Sequence, residues 1–279
     1  MAADSPVGVF DSGIGGLSVL RHIRRQLPHE HLLYFADSGF APYGDKPEHA
    51  IVARALAIAE FLLQRGAKAL VIACNTATAA AIAALRAAYP AMPVIGVEPG
   101  LKPAAALTQS RTVGVLATDS TLASAKFNLL REQISAATGV RFLTQACIGL
   151  ADQVEKGELQ SAASALLVHR YVEPLIAQGV DVLVLGCTHY PFVQPLIEQA
   201  AMRAGKPPLA IIDTGDAVAR QLLRLLDQHG IRHQAGDGGA LQGFTTGSRT
   251  TLARAFITLL KIDPAVTCIS VEAELASGK

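Results

Sequence analysis

The sequence predicts an α/β fold built as two pseudo-symmetric lobes, each a mainly parallel sheet flanked by helices. Three observations carry this. Short Val/Ile/Leu-rich runs alternate with longer Ala/Leu-rich segments that keep Glu, Gln and Arg on one face. The short runs are apolar throughout, as strands covered on both faces of a parallel sheet are. The halves of the chain also repeat one another: "LVIACNT" (70–76) lies over "LVLGCTH" (183–189) at an offset of 113, and "VGVF" (7–10) over "VGVL" (113–116) at an offset of 106. Buried strands resemble each other by composition alone, but that explains the paired cysteines less well.

Taken in order, strands are expected near 7–10, 32–36, 68–73, 93–97, 112–117, 140–144, 181–186 and 209–212, with helices between them. The richest proline and glycine punctuation is "EPGLKPAA" (98–105) and "GKPPLA" (205–210), which mark the expected crossovers between lobes. The first lobe is then 1–97 plus 208–279 and the second 98–207, with a site expected in the cleft between them. Near the end, "HQAGDGGALQG" (233–243) reads as a surface loop before a final strand and helix.

With 279 residues, 51% hydrophobic and only 17% charged, the chain can bury an ample core and lacks the composition of disorder. Its formal net charge is +1 and no block of like charges occurs, so neither nucleic acid nor an anionic membrane has an electrostatic footprint. The N-terminus "MAADSPVGVF" carries no targeting pattern, and the later apolar runs stop short of spanning length. A soluble cytoplasmic protein is expected. Its four cysteines, Cys74, Cys147, Cys187 and Cys268, are dispersed and read as reduced thiols rather than a disulfide framework.

Polar residues gather where strands give way to helices, the ligand-binding edge of open α/β sheets. Asp11 and Ser12 follow the first strand, Asp37 the second, and Asn75 and Thr76 the third. Thr118 and Thr121 follow the first strand of the second lobe, while Cys187, Thr188 and His189 end its last one. "DSGIGGLSV" (11–19) lacks the lysine of a phosphate loop and the third glycine of a dinucleotide fingerprint, so a tight turn whose N–H groups hold a carboxylate is expected instead. Cys74 alone reads as a small buried apolar residue, but Asn-Thr and an Ala-rich helix after it place the thiol at a helix N-terminus, where thiolate is favoured. Cys187 before Thr-His has the same placement. Cys147 and Cys268 lack it and are read as structural.

Two thiols on facing strand ends suit the inversion of a stereocentre, one removing a proton from carbon and the other returning one to the opposite face. A thiol of pKa near 8.5 sits only about one to two units above working pH. Hydroxyl, amide and backbone N–H donors would stabilise the carbanion in a closed site without an electron sink. A Cys-His acyl-transfer nucleophile leaves the second cysteine unexplained. A metal site from Cys74, Cys187 and His189 has only a C-x-H pairing behind it, and scattered lysines give no pyridoxal signature.

As a set the motifs are specific. "GVFDSGIGGLSV" (8–19), "PYGDK" (42–46), "ACNTATA" (73–79), "GVEPG" (96–100), "VGVLATDSTLAS" (113–124), "VEKG" (154–157) and "GCTHYPF" (186–192) together resemble the glutamate racemases over nearly the whole chain. The resemblance implies cofactor-independent interconversion of L- and D-glutamate, supplying D-glutamate for bacterial peptidoglycan, with no metal. It implies that Cys74 and Cys187 are the catalytic acid/bases, acting on D- and L-glutamate respectively, with Asp11 assisting Cys74, and His189 and Glu155 assisting Cys187. Ser12, Tyr43, Gly44, Asn75, Thr76, Thr118, Thr121 and Thr188 resemble the groups that grip the substrate, alongside Asp11 and His189. Glutamate is the one small-molecule partner implied, and a homodimer is the assembly the resemblance allows. "ADSGFAPYG" (36–44) is a looser match, which leaves Asp37 without a role carried over.

Overall fold

The computed structural model describes residues 2–203, 209–234, 236 and 238–270. Residues up to Val97, together with those from Gly215 onward, form one compact unit, and Glu98–Thr214 form a second.

The first unit is a six-stranded, all-parallel sheet. Its strands are β1 (Val7–Asp11), β2 (Leu32–Ala36), β3 (Ala69–Ile72), β4 (Val94–Gly96), β9 (Leu241–Thr245) and β10 (Ala265–Cys268), in the order β10-β9-β2-β1-β3-β4. The helices are α1 (Leu17–Gln26), α2 (Glu48–Gln64), α3 (Asn75–Ala88), α10 (Gly215–Gln228) and α11 (Arg249–Ala255). Strands β1, β2 and β3 are buried at every position, which is why they read as unbroken apolar runs.

The second unit is a four-stranded parallel sheet of β5 (Thr112–Ala117), β6 (Arg141–Ala146), β7 (Val182–Gly186) and β8 (Ala210–Ile212), in the order β6-β5-β7-β8. Six helices accompany it: α4 (Leu101–Leu107), α5 (Asp119–Ala123), α6 (Ala125–Thr138), α7 (Leu150–Glu155), α8 (Ala162–Ala177) and α9 (Gln194–Arg203). The repeat seen in sequence has a topological counterpart. The order β2-β1-β3-β4 in one sheet matches β6-β5-β7-β8 in the other, so β1 corresponds to β5 and β3 to β7, as the two offsets require.

Two expectations are corrected. The sequence puts the return to the first unit at 207/208, but β8 pairs with β7 from Val182↔Ala210 to Val184↔Ile212, so the second unit runs on to Thr214. Strand pairing, not proline punctuation, sets the boundary, and residues 204–208 of the "GKPPLA" segment lie outside the described residues. The stretch 233–243 reads wholly as loop in the sequence, yet its last residues open β9, and a further strand, β10, follows α11. Residues 235 and 237 of that stretch lie outside the description.

At the amino ends of the first sheet's strands, Lys68 and Glu30 form an ion pair of 2.6 Å with both side chains fully buried. Lys68 Nζ donates to Ala3 O at 2.5 Å, and Glu30 Oε1 accepts from His233 N at 2.7 Å, so the pair ties four separate segments together. Glu30→Gln leaves a buried ammonium uncompensated and is expected to cost roughly 3–5 kcal/mol of stability, read by urea unfolding. A loss below about 1 kcal/mol would mean that water reaches Lys68 after all.

Among the described residues, no helix is long and apolar enough to cross a membrane.

Candidate active site

In the first sheet the chain runs from β1 to β2 on one side, then returns to lay β3 on the other, so the connections diverge beyond the carboxyl ends of β1 and β3. The second sheet repeats this at β5 and β7. Divergence of this kind leaves a crevice that connecting segments do not fill. Most of the polar residues singled out from the sequence stand at these two points, while Asp37, Tyr43 and Gly44 follow β2 and Glu155 ends α7.

In the first unit, β1 ends in Asp11, wholly buried, and its carboxylate organises the turn that follows. Asp11 Oδ2 accepts from Gly16 N at 2.7 Å and from Gly13 N at 3.3 Å. The carboxylate held by this glycine turn is therefore the chain's own. Glycine is required at position 16 because a Cβ there would lie 2.7 Å from Asp11 Cβ and 2.9 Å from Tyr34 Oη. Tyr34 in turn donates to Gly13 O at 2.8 Å and steadies the turn from below.

Ser12 links that turn to a thiol. Its hydroxyl lies 3.5 Å from Asp11 Oδ1 as a donor and 3.7 Å from Cys74 Sγ as an acceptor. Cys74 is the N-cap of α3, and its sulfur accepts from Ala77 N at 3.4 Å. A helix N-terminus and a backbone N–H aimed at sulfur both favour the thiolate. Asn75 and Thr76 open α3 and are nearly buried. Both amide atoms of the Asn75 side chain lack a hydrogen-bond partner, which is rare for a buried amide and costly unless a ligand supplies one.

Tyr43 and Gly44 lie in a single 3₁₀ turn, Tyr43–Asp45, that follows β2 and packs against α3. The Tyr43 ring is buried in the same apolar cluster as Cys74. Its phenol donates to Asp37 Oδ2 at 2.7 Å, and burial together with that carboxylate pushes its pKa far above the usual value, so it stays protonated.

In the second unit, Thr118 caps α5: its Oγ1 accepts from Thr121 N at 3.3 Å and donates to Thr121 Oγ1 at 3.0 Å. Beyond β7, Cys187, Thr188 and His189 are nearly buried. His189 Nδ1 lies 3.5 Å from Cys187 Sγ, and its Nε2 lies 2.7 Å from Glu155 Oε1 at the end of α7. Burial pulls the imidazole's pKa down, but Cys187 and the hydrogen bond to Glu155 outweigh it and hold it well above the usual histidine value. Each unit thus brings a cysteine together with a short polar relay ending in a carboxylate: Cys74–Ser12–Asp11 in one, Cys187–His189–Glu155 in the other.

The remaining cysteines differ. Cys147 is buried, and burial pushes its thiol's pKa well up, while Cys268 is exposed with its sulfur 3.2 Å from Gly247 O. Among the described residues, no three His, Cys, Asp or Glu side chains are grouped to hold a metal ion.

Sequence reasoning missed Arg54 and Thr246, which with Tyr43 fill both oxygens of Asp37. The first left a trace: Arg54 lies on the helical face of Ile51 and Ile58, both buried, and a charge on an apolar face needs a partner. Thr246 left none.

Comparison with known proteins adds a family to this geometry. The family model for Asp/Glu/hydantoin racemases matches residues 7–222. The chain is 57% identical over 227 residues to a glutamate racemase of Ectopseudomonas mendocina (strain ymp), covering 81% of this chain and 84% of that protein. Among solved structures it is similar to Escherichia coli glutamate racemase in complex with L-glutamate and the activator UDP-MurNAc-ala, with a TM-score of 0.81, 30% identity and coverage of 95% and 98%. It is also similar to the Francisella tularensis subsp. tularensis SCHU S4 glutamate racemase in complex with D-glutamate, with a TM-score of 0.82, 27% identity and coverage of 97% and 99%.

Proposed function

This chain belongs to the Asp/Glu/hydantoin racemase family, and from that premise we propose that it interconverts L- and D-glutamate with two cysteines as acid and base. The product D-glutamate would feed peptidoglycan synthesis, the family's role. The observation that carries the reading is the paired arrangement: each sheet ends, where its connections diverge, in a buried cysteine with its own hydroxyl or imidazole relay to a carboxylate.

The chemistry follows from those groups. With L-glutamate, Cys187 as thiolate takes the α-proton: the C–H bond breaks, its electron pair stays on the α-carbon, and an S–H bond forms. Cys74 then gives its thiol proton to the opposite face and is left as thiolate. D-Glutamate reverses the roles. Two proton transfers through sulfur leave the enzyme's total proton count unchanged, and bulk water resets the thiols between turnovers. Forming a free thiolate near neutral pH costs about 1.5–2.5 kcal/mol; the α3 N-terminus stands at Cys74, and the His189 imidazole stands 3.5 Å from the Cys187 sulfur. His189, held by Glu155, passes protons to and from Cys187, while Ser12, held by Asp11, does so for Cys74.

The larger barrier is the weak acidity of the α-carbon. It falls when donors fixed in advance meet the charge growing on the carboxylate. Asn75, with its unpartnered amide, Thr76, Thr118, Thr121 and Thr188 supply such donors in this reading, and Tyr43 and Gly44 frame the ligand from the turn after β2. The mechanism calls on no cofactor.

The test is incubation with L-glutamate in deuterated water, following optical rotation and the α-proton resonance together. Both signals should decay. Exchange without loss of rotation would mean that one thiol alone works, which would defeat the two-base reading. Decay with aspartate but not glutamate would move the substrate to the shorter diacid.

A further inference from the structure

The buried carboxylate of Asp37 belongs to neither relay, yet it is wholly inaccessible and both of its oxygens are filled. Oδ2 accepts from Tyr43 Oη at 2.7 Å and from Arg54 Nε at 2.8 Å; Oδ1 accepts from Arg54 Nη2 at 2.8 Å and from Thr246 Oγ1 at 2.7 Å. We propose that Arg54 and Thr246, acting through Asp37, are positioning residues that set the place of Tyr43 and Gly44 in the active site. This rests on the glutamate reading given above.

Three elements converge on one carboxylate. Asp37 leaves the carboxyl end of β2, Arg54 comes from α2, and Thr246 leaves the carboxyl end of β9, which pairs with β2 up to Ala36↔Thr245. Thr246 works in two directions, donating to Asp37 and accepting from Gly39 N at 2.9 Å, so it grips the loop by side chain and by backbone. The fit is tight: a Cβ on Gly39 would lie 2.5 Å from Thr246 O. Farther along the same loop, Phe40 meets the Tyr43 ring edge-on at 5.8 Å, with the Arg54 guanidinium 5.1 Å from the Phe40 centroid.

The chemistry of this cluster separates placement from packing. Arg54 meets the carboxylate in a bidentate fork, the geometry that fixes direction as well as distance. The Tyr43 hydroxyl donates its hydrogen bond to Asp37, so that hydroxyl fixes where the ring and the 43–45 turn stand. Loosening the cluster displaces the turn that frames the ligand and removes no hydrogen bond of either relay. The loss should therefore fall on KM rather than kcat.

The experiment measures racemisation of L-glutamate by the full-length parent, Thr246→Val, Thr246→Ser, Tyr43→Phe and the Thr246→Val/Tyr43→Phe double variant. Thr246→Val should raise KM about three- to tenfold, the worth of one hydrogen bond, with kcat within about twofold. Thr246→Ser, which keeps the hydroxyl, should restore the parent KM. Tyr43→Phe should raise KM comparably, and the double variant should be no worse than Tyr43→Phe alone, because both substitutions cut one path. An unchanged KM in Thr246→Val, or effects that multiply in the double variant, would overturn the positioning role while leaving the substrate reading intact. A parent inactive on glutamate would overturn the substrate reading and this proposal with it. Should Thr246→Val not fold, Arg54→Lys replaces it in the same cycle with Tyr43→Phe and is judged by the same criteria.

Discussion

Replacing either Cys74 or Cys187 with serine should lower glutamate racemisation by a factor of ~10³ or more, while Cys147→Ser leaves it within about twofold. A hydroxyl near water's pKa of 15.7 is about seven units less acidic than a thiol near 8.5, a gap of roughly 10 kcal/mol. Half of that gap appearing in the transition state already amounts to a loss of about three to four orders of magnitude. The helix N-terminus at Cys74 and the imidazole beside Cys187 are tuned to a thiolate and cannot make good the difference for an alkoxide. Cys147, buried and donating to Gln145 O at 3.5 Å, lies close enough to Cys187 to interact with it electrostatically but belongs to neither relay, so its loss should show chiefly in thermal unfolding. Rates come from polarimetry on folded protein. Comparable losses at all three cysteines would sink the assignment.

The second large effect is expected at the histidine relay. His189→Asn should slow turnover about 10²-fold, the usual worth of a placed proton carrier, and Glu155→Gln about tenfold. The pH dependence gives a sharper check. Because the folded pKa of His189 is raised above its unfolded value, the stability it contributes is fully present below about pH 6.5 and is lost as pH rises through the folded value. Glu155→Gln removes the carboxylate that helps raise it, so the folded pKa falls, and the alkaline loss of stability is smaller and complete at lower pH. Thermal unfolding of parent and variant across the neutral-to-alkaline range measures this. A variant whose alkaline limb coincides with the parent's would show that Glu155 does not hold the imidazolium.

Much of this was legible in the sequence, for a physical reason. Strands buried on both faces must be apolar at every position, so β1, β3, β5 and β7 announced themselves and their repeat. The same rule hid β10, a short edge strand with mostly exposed residues, Ala265–Cys268, that carries no such run. The boundary between the units falls beyond the prolines at 207 and 208 because the Ala-Ile-Ile run that follows them pairs with β7. Cysteines at strand ends could be read because position along one segment gave their setting. The Asp37 cluster could not, since its members stand 17 and 209 residues from the aspartate and meet only through the parallel pairing of β2 with β9.

The two cysteines have unequal escorts, a hydroxyl leading to Asp11 on one side and an imidazole leading to Glu155 on the other. Mirror-image amino acids in water have equal free energies, so the Haldane relation holds kcat/KM for the two directions to one common value whatever the escorts are. The inequality must then surface at saturation. The enantiomer bound more tightly is turned over more slowly in the same proportion, and a substitution confined to one relay shifts that balance between kcat and KM while moving both directions' kcat/KM by an identical factor.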